Sequence, residues 1–508
     1  MSLEFSVFFS YMKNLLGIFN RTFDKLVFGF VRLPDHNAPA RVKRRSGILA
    51  SLEEGIFAQI WIIPTSGKFL IDLVLLFGAA SIHLGIINAV PFLTAPAQLI
   101  GAYLVTLSGS RKRVLLPAVT ISRQLWWIVL ILVFLPIESG YKLWIFIALY
   151  AVMSFTGQIS GNAWLSWLGD LLPDNIRGRV ISTRNGILII VGMVADFVFS
   201  QIRETLGKGS HNLYLFICLG IASFAGLKTV LAFKNQWEPP FTPSPVPMMK
   251  NILKDIFQLK AIRRLIIALM MWNIAIGVAT SFWTPHMMLN LKMSFTAIFF
   301  YSSVVMIFHF IMSRGIWGPV IDRAGTVAVV SFCALLITFI PLIWLFISAD
   351  YITPLWFEAV LNGLTWSGFN IAIFNLPFFI LPQKNRVYYF AFLSALSGLA
   401  MGVGALAGGI IAQILEPMHV EILGMTYINY HVTFLLSAIL RGICVFQLRK
   451  IPDARSKGMT YMLKVLGEIL GRIITNPRLF FLSQVKTAPR GKKPDLPVLP
   501  VPRPREAG

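Results

Sequence analysis

The stretch PTSGKFLIDLVLL, residues 64–76, sets a cation, Lys68, and an anion, Asp72, four residues apart among apolar neighbours. Four residues is about one helical turn, so the two side chains share a helix face. A full charge at the centre of a membrane helix costs about 2.5–3.5 kcal/mol on insertion scales, and an opposite charge one turn away offsets part of that cost. Such a pair suits binding of a solute, a coupling proton carried on Asp72, or structural neutralisation, either within the helix or with Arg123 or Asp196. Pro64, Ser66 and Gly67, immediately upstream, weaken a helix, as in the broken helices that line transporter sites.

Catalytic chemistry has no comparable support. The run GVGALAGG, residues 402–409, lacks both the glycine spacing and the preceding strand of a dinucleotide fingerprint, and reads as close helix packing. Phosphate loops, nucleophile elbows and metal-ligand clusters are absent from the sequence, so no enzyme, no cofactor and no metal are expected. Cys218, Cys333 and Cys444 lie far apart in apolar segments and read as small core residues. Arg123 and His309 also fall in apolar segments, where buried pairing is the expected role.

The elements that must carry these residues are membrane helices. Of the 508 residues, 56% are hydrophobic and 13% charged, against about a quarter charged in soluble domains. Apolar runs of roughly 20 residues recur along the chain. They give twelve spans, near 55–79, 82–107, 114–136, 141–169, 181–202 and 211–233, then 264–289, 294–317, 325–348, 353–380, 386–415 and 424–447. Helices are required because spanning segments must satisfy their own backbone. The net charge of +23 sits in the connections and serves topology and lipid headgroups rather than nucleic acid. Clusters at Arg41–Arg45, Arg111–Arg113, Arg177–Arg184 and Lys250–Arg264 fall on one side, which puts both termini in the cytoplasm.

The two halves of the chain repeat. WGPVIDRAG after span eight corresponds to IGAYLVTLSGSRKR after span two, and LPQKNRV after span ten to LLPDNIRGRV after span four. Gly318, Asp322, Arg323 and Gly325 match the loop motif of the major facilitator superfamily, and over roughly residues 54–447 the chain resembles that family, in an uncharacterised prokaryotic branch. The resemblance implies an all-α membrane protein of two six-helix halves. It would be a secondary active transporter in the inner membrane, moving an unidentified small solute by alternating access, as a monomer and with proton coupling allowed.

In the family, spans one, four, seven and ten line a central cavity. The resemblance therefore makes substrate-binding candidates of Lys68, Asp72, Gln158, Asn162, Asn273, Glu358, Asn362, Trp366 and Asn370. It also implies a gate in which Asp322 approaches the start of span eleven near Arg386, with Gly318, Arg323 and Gly325 shaping the loop. This chain departs from the pattern: Val105 replaces the first-half motif aspartate, and span five lacks the Gly-Pro pair of drug/proton antiporters. Drug/proton antiport is therefore not expected, and the alternative class is a transport-inactive scaffold or sensor.

The resulting organisation is an amphipathic segment at 1–53, six-helix halves at 54–235 and 264–448, a linker at 236–263 and a tail at 449–508. The apolar stripes from Phe5 to Phe30 and from Met459 to Ile473 suit helices on a lipid surface or on the bundle itself. The final Pro-rich stretch suits disorder.

Overall fold

The computed structural model describes residues 17, 23, 38–207, 209–240, 258–381, 386–422, 425–453 and 455–475. Among them, twelve helices are long and apolar enough to cross a membrane. The first half contains spans one to six: Arg41–Leu76, Ser81–Ser108, Arg111–Phe134, Ser139–Leu171, Ile176–Leu206 and His211–Asn235. The second contains spans seven to twelve: Lys260–Asn290, Phe295–Ser313, Thr326–Phe346, Thr353–Ile380, Tyr389–Ile414 and Asn429–Arg449. The ends bearing the clusters at 41–45 and 111–113 define a basic face; the other end is the far face.

Span one is two helices. Ala38–Ile62 ends before Pro64, and Gly67, with φ +54, opens the helix Gly67–Leu76. The carbonyls freed by the break are still satisfied. Thr65 Oγ1 donates to the Trp61 carbonyl at 2.8 Å and Ser66 Oγ to the Ile62 carbonyl at 2.7 Å, as backbone at membrane depth requires. Because the span begins at Arg41, Lys68 lies nearer its far end than its midpoint. A correction concerns residues 425–428, expected as helix: His419–Ile422 and Met425–Ile428 pair as an antiparallel hairpin before span twelve. Their β-branched and aromatic residues favour strand.

Each half reuses one capping device. At the basic end of span three, Ser110 Oγ donates to Glu238 Oε2 at 2.8 Å and the Arg111 amide to Oε1 at 2.6 Å. At the matching end of span nine, the Thr326 and Val327 amides donate to Asp453 Oδ2 at 2.8 and 3.0 Å. Each carboxylate follows the last span of its own half and meets the positive end of the third. Gly109 and Gly325, both with positive φ, turn the chain just before these ends.

The halves meet along two seams. Span eleven lies against span two, where a Cβ at Gly85 would meet Gly409 Cα at 2.6 Å, one at Gly398 would meet Ala95 Cβ at 2.6 Å, and one at Gly402 would meet Leu93 Cδ2 at 2.7 Å. Span eleven also runs against span seven, where a Cβ at Gly404 would meet the Ile274 carbonyl at 2.4 Å. GVGALAGG is thus a close-packing surface. Beyond Pro96, span two continues as Ala97–Ser108 and turns onto span four, with Gly101 against Ile159. The second seam joins span five to span eight.

The helix Met459–Thr475 follows span twelve and lays Met462, Val465 and Ile469 into the second half's core. Its apolar stripe is therefore covered by the bundle. Phe23 is fully buried in the first half's basic-side cluster; the rest of the expected N-terminal stripe lies outside the described residues.

Candidate functional site

Lys68 and Asp72 each take a partner on span five instead of each other. Lys68 Nζ lies 2.8 Å from Asp196 Oδ1 and donates to the Phe295 carbonyl at 3.0 Å. Arg203 grips Asp72 with Nε to Oδ2 at 2.8 Å and Nη2 to Oδ1 at 3.1 Å, and His211 Nε2 stands 3.5 Å away. Asp196 and Arg203 are seven residues apart, two helical turns, and so face span one together. The cluster reaches across the seam into span eight. Besides the Lys68 bond to Phe295, Gln201 donates to Thr296 Oγ1 at 2.9 Å, the Thr296 amide donates to Glu204 Oε1 at 2.7 Å, and the Arg203 guanidinium lies 5.2 Å from the Phe295 ring. Glu204 thereby sits at the positive end of span eight. These contacts fasten the halves together toward the far face, and the two ion pairs within the first half hold Lys68 and Arg203 in position to make them.

Beneath this clamp lies a cavity of ≈ 460 Å³ between the halves. Gln59, Asn185, Gly192 and Asp196 share its first-half wall with the apolar Ile63, Leu188, Ile189 and Met193, and Phe299, Ser302, Ser303 and Met306 of span eight face them. A second cavity, of ≈ 320 Å³, lies inside the first half and shares Gln59 and Leu188 with it. Its lining includes Glu54, Arg123 and Arg184. Arg184 Nη2 donates to Glu54 Oε2 at 3.0 Å, and Arg123 Nη2 stands 3.9 Å from Oε1. The Arg123 guanidinium lies 4.5 Å from the Trp61 ring, and that of Arg184 lies 5.2 Å from Trp164.

The other candidates scatter. Gln158 donates to the Pro91 carbonyl at 2.8 Å and accepts from Gln98 at 2.7 Å, tying span four to span two. Asn162 is half-buried and lines neither cavity. Asn273 donates to the Leu269 carbonyl of its own helix at 2.7 Å. Glu358 is fully buried inside the second half, where Tyr301 donates to it at 2.7 Å and Asn362 at 2.9 Å. Trp366 packs edge-on against Phe369 at 5.6 Å, and Asn370 is exposed. Arg123 is paired as expected, whereas His309 has no side-chain hydrogen bond among the described residues.

The loop motif is also partly placed. Gly318 lies in the first turn of the short helix Trp317–Ala324 and Gly325 follows its end, where a Cβ would meet Ser456 Cα at 2.5 Å. Asp322 is exposed, and a separate carboxylate, Asp453, meets the positive end of span nine. Arg323 reaches Glu468 of the terminal helix at 3.9 Å. Span eleven begins in a helix at Arg386, whose side chain lies outside the described residues.

Sequence reasoning missed Glu54, Gln59, Arg184, Asp196 as a cavity residue, and Arg203. The available signal was that Glu54 and Arg184 fall on the apolar faces of their helices once span one is extended back to Arg41. Among the described residues, no group of His, Cys, Asp and Glu has the disposition of a metal site.

Comparison with known proteins agrees with this architecture. The model of the Major Facilitator Superfamily matches residues 56–377. A comparison with the curated proteins returned no sequence match. Among solved structures, the D-xylose–proton symporter aligns with TM-score 0.60 and 13% identity, over 82% of this chain and 98% of that one. The nucleoside transporter NupG aligns with TM-score 0.53 and 14% identity, over 80% and 98%. A bacterial homologue of the iron transporter ferroportin, in an inward-facing state, aligns with TM-score 0.55 and 12% identity, over 82% and 99%. At these identities the likeness is one of fold. With twelve spans in two repeated halves, a cavity between them and a family match over more than half its length, the chain belongs to the Major Facilitator Superfamily of membrane transporters.

Proposed function

We propose that the protein is a secondary active transporter that moves a small solute by alternating access, as a monomer in the cell membrane with its basic face in the cytoplasm. The observation that carries this reading is the cavity of ≈ 460 Å³ between the halves, where Gln59, Asn185, Asp196, Ser302 and Ser303 of spans one, five and eight sit among apolar side chains. It lies below a closed far side. There the Gly85–Gly409 approach and the bonds of Lys68, Gln201 and Glu204 to span eight hold the halves together. The pairs Lys68–Asp196 and Asp72–Arg203 brace that contact. On the basic side, span two's inner helix bends onto span four.

In this reading Lys68 and Asp72 belong to the far-side gate, and Asp196 links that gate to the cavity it lines. A carboxylate that serves both a gate and a cavity is also a place where a coupling proton can act. The bonds across the seam break when the halves rock to the other state, and Asp322, exposed here, meets span eleven in that state. Gln158, Glu358 and Asn362 act as helix-to-helix ties.

Counterflow in proteoliposomes tests this reading, with separately labelled anionic, neutral and cationic small solutes. The expected result is transient accumulation of one class above its equilibrium level. Absence of counterflow for every class, by protein that is folded and correctly inserted, would leave the scaffold or sensor reading standing.

A further inference from the structure

We propose that the ≈ 320 Å³ cavity inside the first half binds a small organic monoanion through Arg123 and Arg184, with Trp61 and Trp164 against its apolar body. The charges lining that cavity do not balance: two guanidinium groups face one carboxylate, Glu54. One arginine suffices to neutralise Glu54, and Arg184 already donates to it at 3.0 Å. Arg123 stands 3.9 Å from the same carboxylate, beyond hydrogen-bonding distance, and makes its hydrogen bond to Thr229 Oγ1 at 3.1 Å. A guanidinium carries five N–H donors, so most of those on Arg123 remain for a ligand. Trp61 lines the same cavity, and its indole N–H is buried without an acceptor. A buried site rich in donors and carrying a surplus positive charge calls for an anion.

Two glycines make room for this arrangement. A Cβ at Gly55 would meet Arg184 Nη2 at 2.6 Å, and one at Gly226 would meet Arg123 Cβ at 3.1 Å and Trp61 Cδ1 at 3.2 Å. The remaining lining is largely apolar, with Ala58, Leu115, Val119, Leu188 and Phe233. A few polar groups set in an apolar wall recognise a small amphiphile by its charged head and hold its body by contact. Gln59 and Leu188 line both this cavity and the one between the halves, so the two sites adjoin. The site itself stands on this geometry; only the consequence, that the anion is the cargo, rests on the transporter reading.

The test is equilibrium dialysis of labelled benzenesulfonate against the purified full chain in detergent. Benzenesulfonamide and benzyltrimethylammonium serve as neutral and cationic counterparts. Saturable binding of the sulfonate alone is expected. Arg123→Gln should weaken it at least about tenfold, the scale of a charged hydrogen bond. Glu54→Gln keeps both arginines and the shape but removes the competing carboxylate, and should tighten binding about tenfold. If Arg123→Gln does not fold, Glu54→Gln decides alone, because a purely structural cluster gives no gain in affinity. No saturable sulfonate binding, equal binding of the sulfonamide, or a Glu54→Gln protein that binds no more tightly overturns the proposal. Sulfonate binding without counterflow of any solute keeps the anion site and removes the transporter reading. Counterflow of benzyltrimethylammonium without sulfonate binding does the reverse.

Discussion

The bidentate contact between Asp72 and Arg203 makes a quantitative test of the far-side clamp. The side chains are 9% and 20% exposed and meet at 2.8 Å. With an effective dielectric of about 20, two unit charges at that distance attract by about 6 kcal/mol. Desolvation of both ions gives back several kcal/mol, which leaves a net coupling on the order of 2 kcal/mol. Truncating either partner alone strands the other. After Arg203→Ala, Asp72 loses its bidentate partner and keeps His211 at 3.5 Å and the neighbouring Tyr214 hydroxyl, so each single change should cost about 3 kcal/mol, the low end for a broken buried pair. The double change Asp72→Ala/Arg203→Ala should cost about 4 kcal/mol. Reversible unfolding of the four proteins in one detergent completes the cycle. Single changes that add within about 0.5 kcal/mol would mean the two residues do not act on each other, and the clamp would lose its strongest brace.

Other contacts give sharper yes-or-no outcomes. Gly85→Val should force spans two and eleven apart, because its first carbon would meet Gly409 Cα at 2.6 Å; the overpacking should cost about 1–3 kcal/mol, visible as a lower Tm, and an unchanged Tm would deny the close approach. Asp453→Ala removes the acceptor for two amides at the start of span nine and should cost about 0.5–2 kcal/mol while speeding proteolysis near residues 455–475; undiminished protection would show that the cap does not hold the terminal helix. Glu358→Leu should cost about 1–3 kcal/mol by leaving Tyr301 and Asn362 without their acceptor, and a neutral result would show that the second half repacks freely. Asp322→Asn should change stability by less than about 0.5 kcal/mol, since Asp322 is exposed, yet shift the balance of accessibility between the two faces.

Periodicity and punctuation made the fold legible. Twelve apolar runs gave twelve spans, and the weak helix formers Pro64 to Gly67 marked the break in span one. Glycines at 402–409 announced close packing because small residues are what let helices touch. Partners were less legible. Lys68 and Asp72 look paired because they are near in sequence, but their counter-charges come from Asp196 and Arg203 on a helix more than a hundred residues away. Arg184 resembled one more topology charge among Arg177 and Arg179, and Glu54 resembled a flanking residue while span one was taken to begin at 55. Nothing local distinguishes a basic residue facing solvent from one turned against a neighbouring helix. The capping roles of Glu238 and Asp453 were hidden for the same reason, since each acts on a helix more than a hundred residues earlier in the chain. The second strand of the hairpin, Met425–Ile428, was absorbed into span twelve because its apolar residues extend that run.

Alternating access, the central claim, requires one lining residue to face each side of the membrane in turn. Ser302 lines the cavity between the halves, and the three cysteines, Cys218, Cys333 and Cys444, are buried and can be replaced. A single cysteine at Ser302, in vesicles of known orientation, should react with a membrane-impermeant thiol reagent readily from the basic face and slowly from the far face. Releasing the clamp with Arg203→Ala should speed reaction from the far face and slow it from the basic face. A cysteine at that position that the far-face reagent never reaches, with the clamp intact or cut, would contradict the account.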